Sequence, residues 1–229
     1  MTKLLLLLVC FIGLAANAVG AESIVIVGDS LSCGPFGKYL VQDLSRAGYS
    51  VALYCAVSSA PQNWLKGINP PRQICKTMKS SNPRLESCGG DGQVPKLDFL
   101  LANNSGARFI VALGTNSLLS PKADTSYRSM AKIIKIHEHE CTWIGPPQLN
   151  PSQSKGYPAG RVETEQKNLT DFYKSLGESV DTSCELIDSR EATAPGTAGN
   201  ETGDGIHRTD GAGKYWSSAI LKSILHHFN

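Results

Sequence analysis

The sequence predicts a three-layer α/β fold, in which helices cover both faces of one parallel β-sheet. The first strand-like run, residues 23–27, is apolar and β-branched, as in a strand that is buried on both faces. Further runs of this kind alternate with helix-like segments along the chain, which is the pattern that parallel sheets require. The length of 229 residues suits a single domain of ordinary size.

The predicted fold begins with a strand, a helix and a second strand. Strand 23–27 ends at Gly28, and Pro35 suits the first turn of the helix that follows. Gly48 suits the end of that helix, and residues 51–55 form the second strand. Two neighbouring parallel strands joined in this way call for a right-handed crossover.

Residues 58–95 are expected to form a long irregular excursion rather than a domain. They contain five of the 12 prolines and a pair of adjacent glycines, which interrupt helices and strands alike. Loops of such length are uncommon and are often functional.

The second half of the chain returns to a regular alternation. After a short helix at 97–101, the apolar run 109–113 predicts the third strand, and Asp124 suits the N-cap of the next helix. The remaining predicted elements are strand 142–144, a polar loop at 148–160, a helix over 162–176, strand 185–188 and a last helix capped by Asp210.

Residues 1–21 are expected to be a secretory signal peptide, which leaves 22–229 as the domain. A basic residue precedes the apolar stretch 4–16, and small residues suited to cleavage end at Ala18 or Ala21. The alternative, a retained membrane anchor, is less favoured because a bilayer span needs about 20 apolar residues. The sequence therefore predicts a secreted or periplasmic protein.

Six of the seven cysteines lie outside the predicted signal peptide, as expected of an exported chain with three disulfides. Six cysteines allow fifteen pairings, so their number alone leaves the connectivity open. The predicted elements narrow the choice, because neighbouring parallel strands lie about 5 Å apart, within reach of a disulfide. The favoured pairs are Cys33–Cys55 near two strand ends, Cys75–Cys88 within the irregular excursion, and Cys141–Cys184 at two strand starts.

Composition argues against several functional classes. The chain carries 22 Lys and Arg against 20 Asp and Glu, and it has no long basic cluster of the kind that binds nucleic acid. Charged residues make up 18% and hydrophobic residues 41%, which is neither a disordered nor a coiled-coil composition. No segment after the signal peptide is apolar enough to span a membrane. No Cys-x-x-Cys motif occurs, and no metal or organic cofactor is implied.

Polar residues next to the predicted strands and the last helix have the chemistry of an acyl-transfer site. Ser30 follows the first strand, Asn116 follows the third, and Asp204 stands three residues before His207 ahead of the last helix. In parallel α/β folds, such positions meet at the carboxyl edge of the sheet, where ligands bind. Ser30 is expected to be the nucleophile, His207 its base and Asp204 the carboxylate that orients the imidazole. The Asn116 amide and the Ser30 N–H are expected to stabilise an oxyanion.

Three motifs resemble signature blocks of the GDSL/SGNH hydrolases, and the resemblance runs from about residue 23 to the C-terminus. The motifs are Gly28-Asp29-Ser30-Leu31, Gly114-x-Asn116 and Asp204-x-x-His207. The resemblance implies a flavodoxin-like, five-stranded parallel sheet and a Ser-His-Asp carboxylic ester hydrolase that needs no cofactor. It also implies a third oxyanion donor, a glycine amide after the second strand. This chain has no glycine there, and the best alignment puts Ser58 in its place.

The expected activity is that of a secreted serine esterase that removes small acyl groups, with acetyl favoured, from an extracellular or cell-wall carbohydrate. Gly114 is expected to line the substrate site, and Trp64 to stack on a sugar, with burial in the core of its own loop as the alternative for Trp64. Two other functions stay open: a lipase or lysophospholipase, and a non-catalytic carbohydrate-binding protein on the same scaffold. The expected partner is an ester or acetylated carbohydrate substrate, and the chain is expected to be a monomer.

Overall fold

The computed structural model describes residues 21–228 and contains one seven-stranded sheet flanked by helices. In chain order the strands are β1 (Ser23–Gly28), β2 (Ser50–Ala56), β3 (Cys75–Lys79), β4 (Asn82–Ser87), β5 (Arg108–Ala112), β6 (Cys141–Ile144) and β7 (Glu185–Ile187). Their spatial order is β4-β3-β2-β1-β5-β6-β7. The parallel strands β2, β1, β5, β6 and β7 correspond to the five predicted strands and have the flavodoxin-like order, which confirms the predicted fold class. Residues 1–20 of the predicted signal peptide lie outside the described residues.

Strands β3 and β4 are not predicted by the sequence, and they lie in the segment that was expected to be irregular. They form an antiparallel hairpin that extends the sheet beyond β2, with Cys75 opposite Ala56. The first five residues of β4 are all exposed, so no alternation of apolar and polar residues marks this strand in the sequence. The sheet therefore has seven strands rather than five, and segment 58–95 is a short helix, a hairpin and their connections.

The helices fall into two groups by their contacts, as expected for layers on the two faces of a sheet. In chain order they are α1 (Ser30–Cys33), α2 (Pro35–Arg46), α3 (Pro61–Lys66), α4 (Leu97–Asn103), α5 (Thr125–Ile136), α6 (Arg161–Val180) and α7 (Asp210–Phe228). Helix α2 packs on α7, whereas α3, α4, α5 and α6 contact one another. Within residues 21–228, no helix combines the length and the apolar character that a membrane span requires.

Packing between α2 and α7 fixes the loop that precedes α7, which carries two of the candidate site residues. Phe36 of α2 and Trp216 of α7 are buried and stack with ring centroids 3.7 Å apart. Gly213 of α7 permits this close approach, because an added Cβ would lie 2.7 Å from the Phe36 backbone nitrogen. The two helices therefore hold the start of α7 close to α1.

The structure forms the three disulfides favoured by the sequence. They are Cys33–Cys55 between α1 and β2, Cys75–Cys88 across the β3–β4 hairpin, and Cys141–Cys184 beside the starts of β6 and β7. The first lies at the carboxyl edge of the sheet and the last at its amino edge. One crosslink therefore stands at each edge, and the third closes the added hairpin.

Candidate active site

Strand β1 delivers Ser30 to the carboxyl edge of the sheet. The strand ends at Gly28, and Asp29 caps α1 by accepting a hydrogen bond from the Leu31 N–H to its Oδ1 at 3.0 Å. Ser30 is the first residue of this short helix and is half-buried. Gly28 is required here because an added Cβ would lie 2.3 Å from the Cβ of Ser32. The turn therefore presents the Ser30 hydroxyl at the end of the strand.

Three side chains from two distant parts of the sequence form one chain of hydrogen bonds. The Ser30 Oγ lies 3.0 Å from His207 Nε2, and Asp204 Oδ2 lies 2.7 Å from His207 Nδ1. When Nδ1 donates its proton to Asp204, Nε2 is free to accept the Ser30 hydroxyl proton, as general-base catalysis requires. The structure thus brings together the three residues that the sequence predicts as nucleophile, base and orienting carboxylate.

Asp204 is held as a carboxylate by the turn that carries it. Its Oδ1 accepts hydrogen bonds from the N–H groups of Ile206 at 3.0 Å and His207 at 2.7 Å. Partial burial raises the pKa of Asp204, but these hydrogen bonds and the one to the His207 ring lower it more, so the pKa lies below its ordinary value. Asp204 is therefore ionised at neutral pH and stabilises the imidazolium that forms when His207 takes a proton.

The polar loop predicted at 148–160 supports the turn before His207. The Gly205 carbonyl accepts from the Asn150 N–H at 2.8 Å, and the Gly205 N–H donates to Thr202 Oγ1 at 2.8 Å. Gly205 has a φ of +91°, and an added Cβ would lie 3.0 Å from the Asn150 carbonyl oxygen. The position therefore needs glycine both for its backbone conformation and for the close approach of the loop.

Asn116 lies at the end of β5, beside the nucleophile. Gly114, with a φ of +149°, leads the chain into the 3₁₀ turn Thr115–Ser117. The Asn116 Nδ2 donates to the Ser59 carbonyl oxygen at 3.0 Å and lies 3.4 Å from Asp29 Oδ2. The amide is thus held between the ends of β1 and β2. Gly114 itself is buried in the turn, and its contact with substrate stays a prediction.

Ser58 occupies a turn that favours glycine. The Ser59 N–H donates to the Ala56 carbonyl at 3.1 Å, which makes Ser58 the third residue of a β-turn after β2. Ser58 is exposed and has a φ of +62°. A non-glycine residue in this region costs about 1–2 kcal/mol. Its backbone conformation is therefore one that the expected glycine adopts without strain, and its role as an oxyanion donor stays a prediction.

The prediction that Trp64 stacks on a sugar is wrong. The indole is fully buried, so neither ring face is open to a ligand. Its Nε1 donates to Ser59 Oγ at 3.2 Å, and Ser59 Oγ donates in turn to the Gly28 carbonyl at 3.2 Å. Trp64 belongs to the core beneath its loop, where it ties the turn after β2 to the turn that carries Ser30.

Asp29 lies at the centre of the site, although the sequence assigned it no role beyond its place in a motif. It is 1% exposed and contacts both the Leu31 N–H and the Asn116 amide. Burial raises the pKa of Asp29 to about 7, against the lowering effects of the Leu31 hydrogen bond and the charge of His207. The N-cap preference of Asp is a sequence signal for the first contact, but no pattern indicates the second. Ser59, which accepts from Asn116, was missed for the same reason.

No protein-family model matches the chain, and no curated protein matches it. Among solved structures, a putative SGNH hydrolase from Slackia heliotrinireducens has 14% identity and a TM-score of 0.61, over 89% of this chain and 99% of that chain. The aryl esterase of M. smegmatis has 16% identity and a TM-score of 0.58, over 90% and 99% of the two chains. A carbohydrate acetylesterase from Sinorhizobium meliloti has 17% identity and a TM-score of 0.54, also over 90% and 99%.

This chain has the SGNH-hydrolase fold. The fold implied by the three sequence motifs is thereby confirmed, and it places Ser30, Asn116 and His207 at one edge of the sheet. Among residues 21–228, no three His, Cys, Asp or Glu side chains are grouped so that they could hold a metal ion. The groups that meet at this edge are the Ser30 hydroxyl, the His207 imidazole, the Asp204 carboxylate and the Asn116 amide.

Proposed function

We propose that the chain is a secreted serine esterase of the SGNH family that removes small acyl groups, chiefly acetyl, from an extracellular carbohydrate. The observation that carries the proposal is the chain of hydrogen bonds from Ser30 through His207 to Asp204. Its geometry is that of an activated nucleophile, a general base and an orienting carboxylate. The aryl esterase and the carbohydrate acetylesterase of similar fold support ester hydrolysis, and the three disulfides support export.

In the first half-reaction, Ser30 Oγ attacks the carbonyl carbon of the ester while its proton passes to His207 Nε2. The carbonyl electron pair moves onto oxygen, where the Ser30 N–H and the Asn116 amide donate hydrogen bonds, with the Ser58 N–H as a further donor. The tetrahedral intermediate then collapses and the bond to the leaving oxygen breaks. His207 returns the proton to that oxygen, which leaves as the sugar hydroxyl, and the acyl group stays on Ser30.

In the second half-reaction, water takes the place of the alcohol. The water oxygen attacks the acyl carbon while His207 accepts a proton from the water. The same donors stabilise the second oxyanion. Collapse of this intermediate breaks the bond to Ser30 Oγ, which recovers its proton from His207. The products are the free acid and the original hydroxyl of Ser30.

A short acyl group is favoured by the residue that follows β2. Where the family pattern has glycine, Ser58 carries a side chain on the expected acyl side of the nucleophile, which leaves less room for a long chain. The carbohydrate acetylesterase of similar fold also supports acetyl over a fatty acyl group, and therefore an acetylesterase over a lipase.

The test is acetate release from O-acetylated xylan or peptidoglycan, measured beside the hydrolysis of p-nitrophenyl esters of increasing chain length. Wild-type protein is expected to release acetate and to prefer short esters, and Ser30→Ala is expected to lose both activities. A preference for chains of eight carbons or more, without acetate release, would support a lipid esterase instead. Binding of these polymers without any ester hydrolysis would support the non-catalytic carbohydrate-binding alternative.

A further inference from the structure

We propose that Asp29 is a positioning residue, which holds the Asn116 amide in place for the oxyanion while it caps the turn that presents Ser30. The proposal rests on the proposed esterase function, and it concerns a residue that forms no bond to the substrate. Asp29 touches neither the substrate nor a transferred proton in that mechanism. Its effect on the oxyanion passes through Asn116.

The two oxygens of the Asp29 carboxylate serve two different parts of the site. Oδ1 accepts from the Leu31 N–H at 3.0 Å, next to the nucleophile, and Oδ2 lies 3.4 Å from Asn116 Nδ2. The Ser59 carbonyl accepts from the same Nδ2 at 3.0 Å. Nδ2 has two hydrogens: the Ser59 carbonyl accepts one, and the longer contact with Asp29 orients the other, which the oxyanion can accept when it forms. Such preorganisation is what makes an oxyanion donor effective.

Burial strengthens these hydrogen bonds, and it also raises the free energy of the ionised form of Asp29. Asp29 is 1% exposed, and hydrogen bonds gain strength where water is excluded. The charged or titratable groups that face it are His207, from the loop before α7, and Tyr127, from α5. Burial raises the pKa of Asp29 from 3.8 to about 7 in the folded protein. Between these two values the folded state binds the proton more tightly than the unfolded state, so this group lowers stability as pH rises through that range.

The variant that separates positioning from a structural role is Asp29→Asn. It keeps the shape of the side chain and can still cap Leu31 through its amide oxygen, but its NH₂ group then faces the NH₂ group of Asn116. If the new side-chain amide rotates by about 180°, its oxygen faces Asn116 and its NH₂ group faces the Leu31 N–H, so the contact with Asn116 is kept and the cap is lost. One of the two contacts is therefore lost in either orientation. We expect kcat to fall about 10- to 100-fold, with KM little changed, because the oxyanion exists only in the transition state.

Two further readouts test whether Asp29 acts through Asn116. In an Asn116→Ala background, Asp29→Asn should lower kcat little further, because the group that it positions is already gone. At pH 8, the unfolding temperature of Asp29→Asn should equal or exceed that of the wild type, because the buried charge is removed. The matched control is Asp124→Asn, which changes the exposed N-cap of α5 and should leave kcat unchanged.

Several outcomes would overturn the proposal while leaving the esterase function intact. These are a wild-type kcat in Asp29→Asn, losses that multiply fully in the double variant, and a lower kcat accompanied by a lower unfolding temperature at pH 8. An inactive wild type, or a Ser30→Ala variant as active as wild type, would overturn the esterase function and this proposal with it. The Ser30→Ala measurement therefore separates the two kinds of failure.

Discussion

The two edges of the central sheet use their polar groups differently. At the carboxyl edge, Ser30 and His207 lie 3.0 Å apart, and 41% of the His207 side chain is exposed, so these groups can reach a substrate. At the amino edge, Arg108 pairs with Glu22 and with Glu140, so its one positive charge is shared by two carboxylates. The same alternation of strands and helices thus ends in reactive groups at one edge and in paired charges at the other.

The larger cavity lies at the amino edge, opposite the edge that carries the candidate catalytic groups. A cavity of about 500 Å³ lies at the amino edge around Cys141 and Cys184, and its described lining residues include none of the candidate catalytic groups. The cavity beside Asp29 and Leu31 at the carboxyl edge offers about 10 Å³. The carboxyl edge is the candidate site because its polar groups lie at hydrogen-bond distance, not because it encloses a large volume.

The largest expected difference between the edges is catalytic. Ser30→Ala and His207→Ala should each lower kcat for a p-nitrophenyl acetate substrate by about 10³-fold or more, because each removes a group that forms or transfers a bond. Glu140→Gln, which weakens an ion pair at the amino edge, should leave kcat unchanged. Near wild-type turnover by Ser30→Ala would contradict the assignment of this edge.

Asn116→Ala should have the next largest effect. A loss of about 10²–10³-fold in kcat, with little change in KM, is expected because the amide stabilises charge only in the transition state. The control is Asn168→Ala, since the Asn168 amide also donates to carbonyl groups, those of Leu118 and Leu119, and neither of these hydrogen bonds involves Ser30 or His207. A change confined to KM would reassign Asn116 to binding of the ground state.

The two edge disulfides offer a matched pair. The loop-closure entropy that each crosslink removes from the unfolded chain predicts a stabilisation of about 3.4 kcal/mol for Cys33–Cys55, with a separation of 22 residues. For Cys141–Cys184, with a separation of 43 residues, it predicts about 4 kcal/mol. Replacing the amino-edge pair by serine should therefore lower stability at least as much. Only the carboxyl-edge pair should also lower kcat, by about 10-fold, because it joins the helix of Ser30 to the strand before Ser58.

Denaturant unfolding and kcat, measured on both double variants, test this prediction. Equal losses of kcat in the two variants would mean that the carboxyl-edge crosslink has no special role in positioning the site.

The smallest expected effect is that of Ser58→Gly. Glycine relieves the strain of a positive φ but adds freedom to the unfolded chain, so we expect a net gain of about 0.5–1 kcal/mol in stability. Removing the side chain should also raise the rate with butyrate relative to acetate esters, with kcat for acetate changed by less than about 3-fold. A loss of stability, with an unchanged ratio of the two esters, would mean that Ser58 neither is strained nor restricts the acyl group.

The parallel core and the relative placement of the candidate triad could be predicted from the sequence because both depend on short, strong signals. Continuous apolar runs mark strands that are buried on both faces, and the carboxyl ends of such strands converge at one edge. Ser30 and Asn116 follow two of these runs directly. The disulfides Cys33–Cys55 and Cys141–Cys184 were predictable because neighbouring strands place their cysteines close together, whereas Cys75–Cys88 was favoured as the remaining pair within one loop.

Other features depend on tertiary contacts that leave no periodic pattern. The β4 strand is exposed along most of its length, so it lacks the apolar alternation that identifies a strand. Trp64 is an amphipathic residue in a loop, and only the fold decides whether its ring faces solvent or, as here, the core. Asp29 shares a motif with Ser30, but its contact with Asn116 joins residues 87 positions apart.

Labelling with a serine-reactive phosphonate, followed by peptide mapping, tests the assignment of the nucleophile most directly. Wild-type protein should acquire one adduct per chain, on Ser30, and the labelling rate should fall sharply in His207→Ala because the hydroxyl loses its base. Asp204→Asn should also label more slowly, because the imidazole loses the carboxylate that orients it. An adduct on a different serine, or equal labelling of Ser30→Ala, would contradict the assignment of Ser30 as the activated nucleophile.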